Sequence, residues 1–336
     1  MLIVPTITSP NYNWIYTYDY APDSIWDAWR DSGYSAGWID EEADSVAKRV
    51  RTGLKSYILF ADSHFTYNGT WEDTVSSMKA IKDRIPISGI IHLGDLTDGL
   101  LPLDRAQEIE RRCIGDMQSM GVPVYIVPGN HDYNYFRGNP QIKYPDKPQY
   151  YIDLPEQRLR LIFIDSFDPK ENLRYGFTEY CIHWVESVLH MMPEGYVAIV
   201  FSHVPPIKQL HVWSDWIRNS HILMPVLDGY ADRILAFING HSHCDHLFND
   251  LHNGQFPIIS INCAKCEYFL DHKPEGAVVP FRRLGDRTQE SFDIMQVDTE
   301  QKEIYFTRFG AGEDRIVRNH KAFFINKTGT EGIGVD

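Results

Sequence analysis

The chain has 336 residues, 43% of them hydrophobic, which suits one large globular domain or two small ones with ample core. Its formal net charge is −14, which argues against nonspecific nucleic-acid binding, because that needs an excess of Lys and Arg facing phosphates. No apolar run approaches the length that spans a bilayer and the first basic residue is Arg30, so neither a membrane span nor a signal peptide is expected.

Five Cys, an odd and low count in a long chain, suggest free thiols and a reducing compartment, the cytoplasm. Residues 1–55 hold Trp14, Trp26, Trp29 and Trp38 and are expected to pack on the core as an aromatic-rich extension. Trp26 and Trp29 share a face if 24–30 is helical. Residues 56–320 form the main domain and 321–336 a tail. An apolar strand over 56–61 ends in Asp62-Ser63-His64, whose alternate side chains can aim into one cavity. Thr70 reads as the N-cap of a helix that continues through Val75, Met78 and Ile81. Tyr67 and Trp71 either line a pocket or pack in the core. The next strand, 89–93, ends in Gly94-Asp95-Leu96-Thr97-Asp98; His92 inside it reads as a packed histidine. A helix over 102–120 is ended by Gly121.

The run 122–127 is a third buried strand, closed by Pro128 and Gly129 and followed by Asn130-His131-Asp132. A long aromatic connection over 133–151 carries Tyr133, Tyr135, Phe136, Arg137, Lys143 and Lys147. Arg137 suits a phosphate oxygen, or is a solvated surface arginine. Strands over 159–165 and 197–202 follow, the second running into His203, with a helix between them capped by Thr178. A second rim segment holds His211, Trp213, Trp216, Arg218 and His221. The strand 234–239 runs into Gly240-His241-Ser242-His243. Cys244 and His246 with Cys263 and Cys266 fall short of a zinc set, which needs four N or S ligands. Beyond Asp245 the chain turns β in character. One hairpin pairs 246–250 with 257–261 through Asn253-Gly254; another pairs 292–297 with 303–309; together they are expected to build a second sheet. The glycines of 310–315 lack a following helix, so they are not a dinucleotide loop.

Five apolar strands therefore end in metal-capable or proton-capable side chains, all at one sheet edge, where ligands sit in open α/β sheets. The blocks Asp-x-His, Gly-Asp-x-x-Asp, Gly-Asn-His-Asp, a lone His and Gly-His-x-His occur in that order between Asp62 and His243. In this the chain resembles the calcineurin-like metallophosphoesterase superfamily. The resemblance implies a four-layer α/β/β/α sandwich of two mixed sheets flanked by helices. It implies two divalent ions, one held by Asp62, His64, Asp95 and His243, the other by Asp95, Asn130, His203 and His241, with Asp95 bridging. Such an Asp, Asn and His set suits Mn, Fe or Zn. The activity implied is metal-dependent hydrolysis of a phosphate ester by a metal-bridged hydroxide, with His131 as general acid oriented by Asp98. Substrate-contacting candidates are Tyr133, Tyr135, Arg137 and Trp213. Monoester and phosphodiester substrates both remain open, and a non-catalytic scaffold with this fold is the reading from another class.

Overall fold

The computed structural model describes residues 35–65, 70–97, 99, 103–133, 147–168, 170–211, 213, 216–249, 256–265 and 273–327. The readings made on Trp14, Trp26, Trp29, Tyr67, Asp98, Tyr135, Phe136, Arg137, Lys143, Asn253-Gly254 and Cys266 lie outside these residues.

The strands that lead into the motifs divide between two sheets. In the first, β1 (Ser56–Phe60), β2 (Ile87–His92) and β3 (Val124–Ile126) run parallel. On the other side of β1 an antiparallel meander follows: β10 (Ser291–Asp298), β11 (Glu303–Gly310), β12 (Asp314–Arg318) and β13 (Lys321–Ile325). The second sheet holds β4 (Tyr150–Leu154) antiparallel to β5 (Leu159–Phe163), then β6 (Val197–Ser202), β7 (Ile234–Asn239) and β9 (Ile258–Ser260), all parallel to β5. The short β8 (His246–Phe248) closes its edge. The strand orders are β13-β12-β11-β10-β1-β2-β3 and β4-β5-β6-β7-β9-β8.

Side-chain alternation sorts each strand into two layers. Tyr57 and Leu59 join Phe163, Phe201, Ile238, Met295 and Phe306 between the sheets. Ile58 and Phe60 turn outward to a helical layer of α1 (Trp38–Arg49), α2 (Thr70–Lys82) and α3 (Leu103–Gln118). Ile162, Val200 and Phe237 do the same toward α4 (Glu179–His190) and α5 (Ser220–Asp228). This is the expected α/β/β/α sandwich. Phe163 anchors the inner layer, stacked on Tyr150 at 4.7 Å, Phe201 at 5.0 Å and Tyr125 at 5.7 Å. Truncating so buried a ring to Ala costs about 3–5 kcal/mol.

Four features differ from the sequence reading. The two late hairpins do not make a sheet of their own. The first adds to β7 through the parallel pairing Phe237↔Ile258, and the second adds to β1 through Tyr57↔Met295. Each buries its apolar face by extending an existing sheet. Thr70 is the first helical residue of α2, not a cap outside it, and its carbonyl accepts from Thr74 Oγ1 at 3.0 Å. Helix α1 was not anticipated, although Ile39, Glu42, Ala43 and Val46 are buried on one face at helical spacing. Finally, β13 carries the first sheet past residue 320, because its backbone pairs with β12 from Asp314↔Ile325 to Arg318↔Lys321.

Candidate metal centre

The carboxyl ends of β1, β2, β3, β6 and β7 meet at one point. Parallel hydrogen bonding continues past the strands there, with Asp62 N donating to Gly94 O and His64 N to Asp95 O. Asp62, His64, Asp95, His241 and His243 all adopt positive φ, from 42° to 67°. Non-glycine residues in this region cost energy and cluster where function over-determines the backbone. The motif glycines explain how the loops come so close. A Cβ on Gly129 would fall 2.2 Å from Asp95 Oδ1, and one on Gly240 2.7 Å from Asp62 Oδ2. Gly94, at φ +93°, abuts both Gly129 N and the His203 ring.

The side chains form overlapping groups: Asp62, His64 and His243; His64, Asp95 and His131; Asp95, His203 and His241. His64 Nε2 lies 3.1 Å from His243 Nε2 and 3.6 Å from Asp95 Oδ2. His243 Nε2 lies 3.3 Å from Asp62 Oδ1. Around the second position, His203 Nε2 is 3.1 Å from each of Asp95 Oδ2, Asn130 Oδ1 and His241 Nδ1. Asp95 is common to both positions. Asp62 Oδ2 accepts from His241 N at 2.9 Å, yet its Oδ1 is buried with no hydrogen-bond partner. A buried carboxylate oxygen without a donor is costly unless a cation meets it. The oxygen and imidazole donors around it suit a divalent metal, so the residues fit the expected pair of ions.

The electrostatics agree. His203 is wholly buried, which lowers an imidazole, but the charge and hydrogen bond of Asp95 and the charge of Asp62 lift it to about 9. Burial would raise Asp95, and the adjacent His203, His131 and His64 carry it well below the usual carboxylate range instead. Both shifts describe a pocket that stabilises positive charge between its carboxylates, as a divalent ion requires. His203 Nδ1 lies 2.7 Å from Leu93 O, a pure acceptor, so Nδ1 carries a proton, and Nε2 is the nitrogen that would lose its proton to a bound ion. Burial, His211 and His203 push His241 well below its ordinary value and keep it neutral.

His131 follows Asn130, and its ring sits with His64 and Asp95 in one of the metal-capable groups. Its N donates to Asp95 Oδ1 at 2.8 Å, its Nε2 is 3.9 Å from Asp95 Oδ2, and its ring meets the His64 ring edge-on at 4.7 Å. Tyr133 donates to Asp165 Oδ2 at 2.7 Å and its ring lies against Phe167, at 9% exposure. Trp213 donates its indole N–H to His241 O at 3.2 Å. His221 is exposed and Trp216 is 71% exposed. His92 accepts from Gly94 N at Nδ1 and lies 2.9 Å from Ser63 Oγ; burial drives it to about 3, a packed neutral ring. Among the described residues, Cys244, His246 and Cys263 join no metal-capable group.

Two supports went unassigned from sequence. Asp132 accepts from Asp95 N, Leu96 N and Gly129 N at 2.8 Å each, tying two ligand loops together, and burial with the Asp95 charge raises it to about 7. Asp245, two residues after His243, pairs with buried Arg308 and Arg315, which also hold Asp293 of β10. The Gly-Asn-His-Asp tetrad was a signal for the first; nothing local marked the second, whose partners are more than 60 residues away.

A profile of the calcineurin-like phosphoesterases matches residues 56–245, more than half of the chain. The chain belongs to the calcineurin-like phosphoesterase family. The buried Asp and His side chains described above give this member of the family a site able to hold a dinuclear centre. A probable glycerophosphodiester phosphodiesterase GpdQ of Arcobacter nitrofigilis is 27% identical over 168 residues, 46% of this chain and 56% of that protein. The match thus spans little more than half of that relative's length. Two solved structures share the fold of this calcineurin-like phosphoesterase. A dimetal phosphatase from Danio rerio superposes with a TM-score of 0.58 at 16% identity, covering 79% of this chain and 99% of that one. The purple acid phosphatase PPD1 of yellow lupin gives 0.50 at 12% identity, covering 82% and 53%. Among the described residues no helix is long and apolar enough to cross a membrane.

Proposed function

We propose that this phosphoesterase works through two divalent ions and a proton donated by His131. Asp62, His64, Asp95 and His243 would hold one ion; Asp95, Asn130, His203 and His241 the other. Bound ions neutralise phosphoryl oxygens and acidify coordinated water. Mn, Fe and Zn suit the donor set. The observation that carries the reading is Asp62 Oδ1, buried and without a hydrogen-bond partner among the imidazoles of His64, His203 and His243.

The chain's own part is positioning and proton transfer. Asp132 and the motif glycines fix the Asp95 carboxylate. His131 stands beside that carboxylate, held through its own backbone N–H, with its Nε2 3.9 Å from Asp95 Oδ2. As an imidazolium it would protonate the leaving oxygen, with Asp98 orienting it. Tyr133 would serve as a wall, since its hydroxyl is committed to Asp165. Trp213, its indole N–H committed to the His241 carbonyl, would contact a substituent of the substrate, with Tyr135 and Arg137 as further contacts. Four described cysteines outside any disulfide support a reducing compartment, for which we propose the cytoplasm.

A second reading narrows the substrate to phosphodiesters, and the likeness to the probable glycerophosphodiester phosphodiesterase favours it. The test is a panel of alkyl and aryl mono- and diesters assayed with Mn, Fe and Zn. Turnover of diesters above the matching monoesters supports the second reading. A flat panel with every metal contradicts the hydrolytic mechanism.

A further inference from the structure

His211 and Trp213 follow the short turn Lys208–Leu210; in sequence they read as rim residues, with metal ligation the lesser alternative for His211. The structure brings His211 against a metal-ligand candidate. It is 8% exposed, and its Nε2 lies 2.9 Å from Nε2 of His241, with the rings tilted 36° at 4.7 Å. The two nitrogens of His241 therefore face different ways. Nδ1 looks toward His203 Nε2 at 3.1 Å, on the ligand side; Nε2 looks toward His211. The ring of Tyr175 packs on both imidazoles, at 4.8 and 5.0 Å, and the Trp213 indole N–H holds the His241 carbonyl.

We propose that His211 is a positioning residue for His241: it accepts the Nε2 proton of that ring and so commits Nδ1 to the second ion. The inference rests on the two-ion reading above. A neutral imidazole carries one proton, so a ring that gives Nδ1 to an ion carries its proton on Nε2. Buried, that N–H needs an acceptor, and ligand histidines are usually oriented by a carboxylate or a carbonyl at this position. Here the group at hydrogen-bond distance is another imidazole.

An imidazole partner has a consequence that a carboxylate lacks. To accept at Nε2, neutral His211 must carry its proton on Nδ1. Backbone N–H of Trp213 points at that same nitrogen from 3.2 Å. Two donors would then face each other, so in neutral His211 the Trp213 contact at Nδ1 and the acceptor role of Nε2 exclude one another. Filling the second position would thus cost the Trp213 N–H its contact with His211, and ion occupancy would be tied to the placement of Trp213.

The test uses the full-length protein stripped and titrated with zinc. His211→Phe keeps a ring and removes the acceptor; His211→Gln keeps an acceptor. The parent is expected to bind two equivalents. His211→Phe should bind the first as the parent does and the second about 10–100-fold more weakly, the usual cost of losing such a partner. His211→Gln should recover most of that loss, which a packing role would not produce. Parental affinity for both ions in His211→Phe, or equal loss of both ions in the two variants, would overturn the inference. A parent that binds fewer than two equivalents would instead overturn the two-ion reading itself. Tryptophan emission in the same titration, parent against Trp213→Phe, reads the loop. A change that depends on Trp213 and arrives with the second equivalent is expected; its absence refutes the tie to Trp213.

Discussion

Replacing Gly129 with Ala adds one methyl group at the point where the loops after β2 and β3 touch. The new Cβ would fall 2.2 Å from Asp95 Oδ1, 2.4 Å from Asp95 N and 2.8 Å from Asp95 Cγ. Optimal nonbonded separations are about 3.5–4.0 Å, so the loop carrying Asp95 must retreat by about 1 Å. Gly129 is not among the positive-φ residues, so Ala meets no backbone penalty and the effect is steric. Overpacking of this kind costs about 1–3 kcal/mol of stability. Activity should suffer more, because displacing a positioned group by about 1 Å costs on the order of 10²-fold. We expect Gly129→Ala to fold, to unfold at lower urea, and to lose turnover of a nitrophenyl ester together with part of its metal. Gly115→Ala is the control. It lies on α3 with nothing within 4 Å of the added carbon, and should gain up to about 1 kcal/mol from helix propensity. Parental turnover and parental metal content in Gly129→Ala would refute the claim that this contact fixes Asp95.

His131→Ala should keep both ions and lose turnover by about 10²–10⁴-fold, most for alkyl esters and least for nitrophenyl esters, whose leaving group needs little help; equal losses across leaving groups would argue for a purely electrostatic role. Burial, with Asp73 adding to it, raises Glu290 from 4.5 to about 7. The folded state therefore holds that proton more tightly than the unfolded state. This stability is full below about pH 4.5 and lost as pH rises to about 7, amounting to about 3 kcal/mol by linkage. Glu290→Gln should flatten that fall in urea titrations at pH 5 and 8, and an unchanged slope would contradict the assignment. Thr178 accepts from Cys181 N at 3.0 Å as the cap of α4, so Thr178→Ala should destabilise by about 1 kcal/mol in the same assay, with activity intact.

Much of the architecture was legible because it is written locally. Each strand that ends in a motif is a short, mostly apolar run, and three of the five motifs carry a glycine, Gly94, Gly129 or Gly240, where loops must touch. Asp62, Asp95 and Asn130 end strands of one sheet, His203 and His241 strands of the other; their convergence follows from parallel pairing and sheet stacking. What the sequence hid depends on distant partners. The placement of the late hairpins is decided by which sheet offers an open edge, as Tyr57↔Met295 and Phe237↔Ile258 show. Asp245 looks like one more polar residue after His243 until Arg308 and Arg315 arrive from β11 and β12. His211 lies 30 residues from His241 and resembles any exposed loop histidine until the fold buries it. Helix α1 was missed because its buried face includes Glu42, which pairs with Arg49 and Lys327.

The central claim is that one carboxylate, Asp95, serves two ions. Asp95 Oδ2 lies 3.6 Å from His64 Nε2 and 3.1 Å from His203 Nε2, the ligand candidates of the two positions. Elemental analysis of purified protein after equilibration with manganese or zinc tests this directly. The parent should hold two equivalents, His64→Ala about one, and Asp95→Asn close to none. Two full equivalents in Asp95→Asn would contradict the bridging assignment.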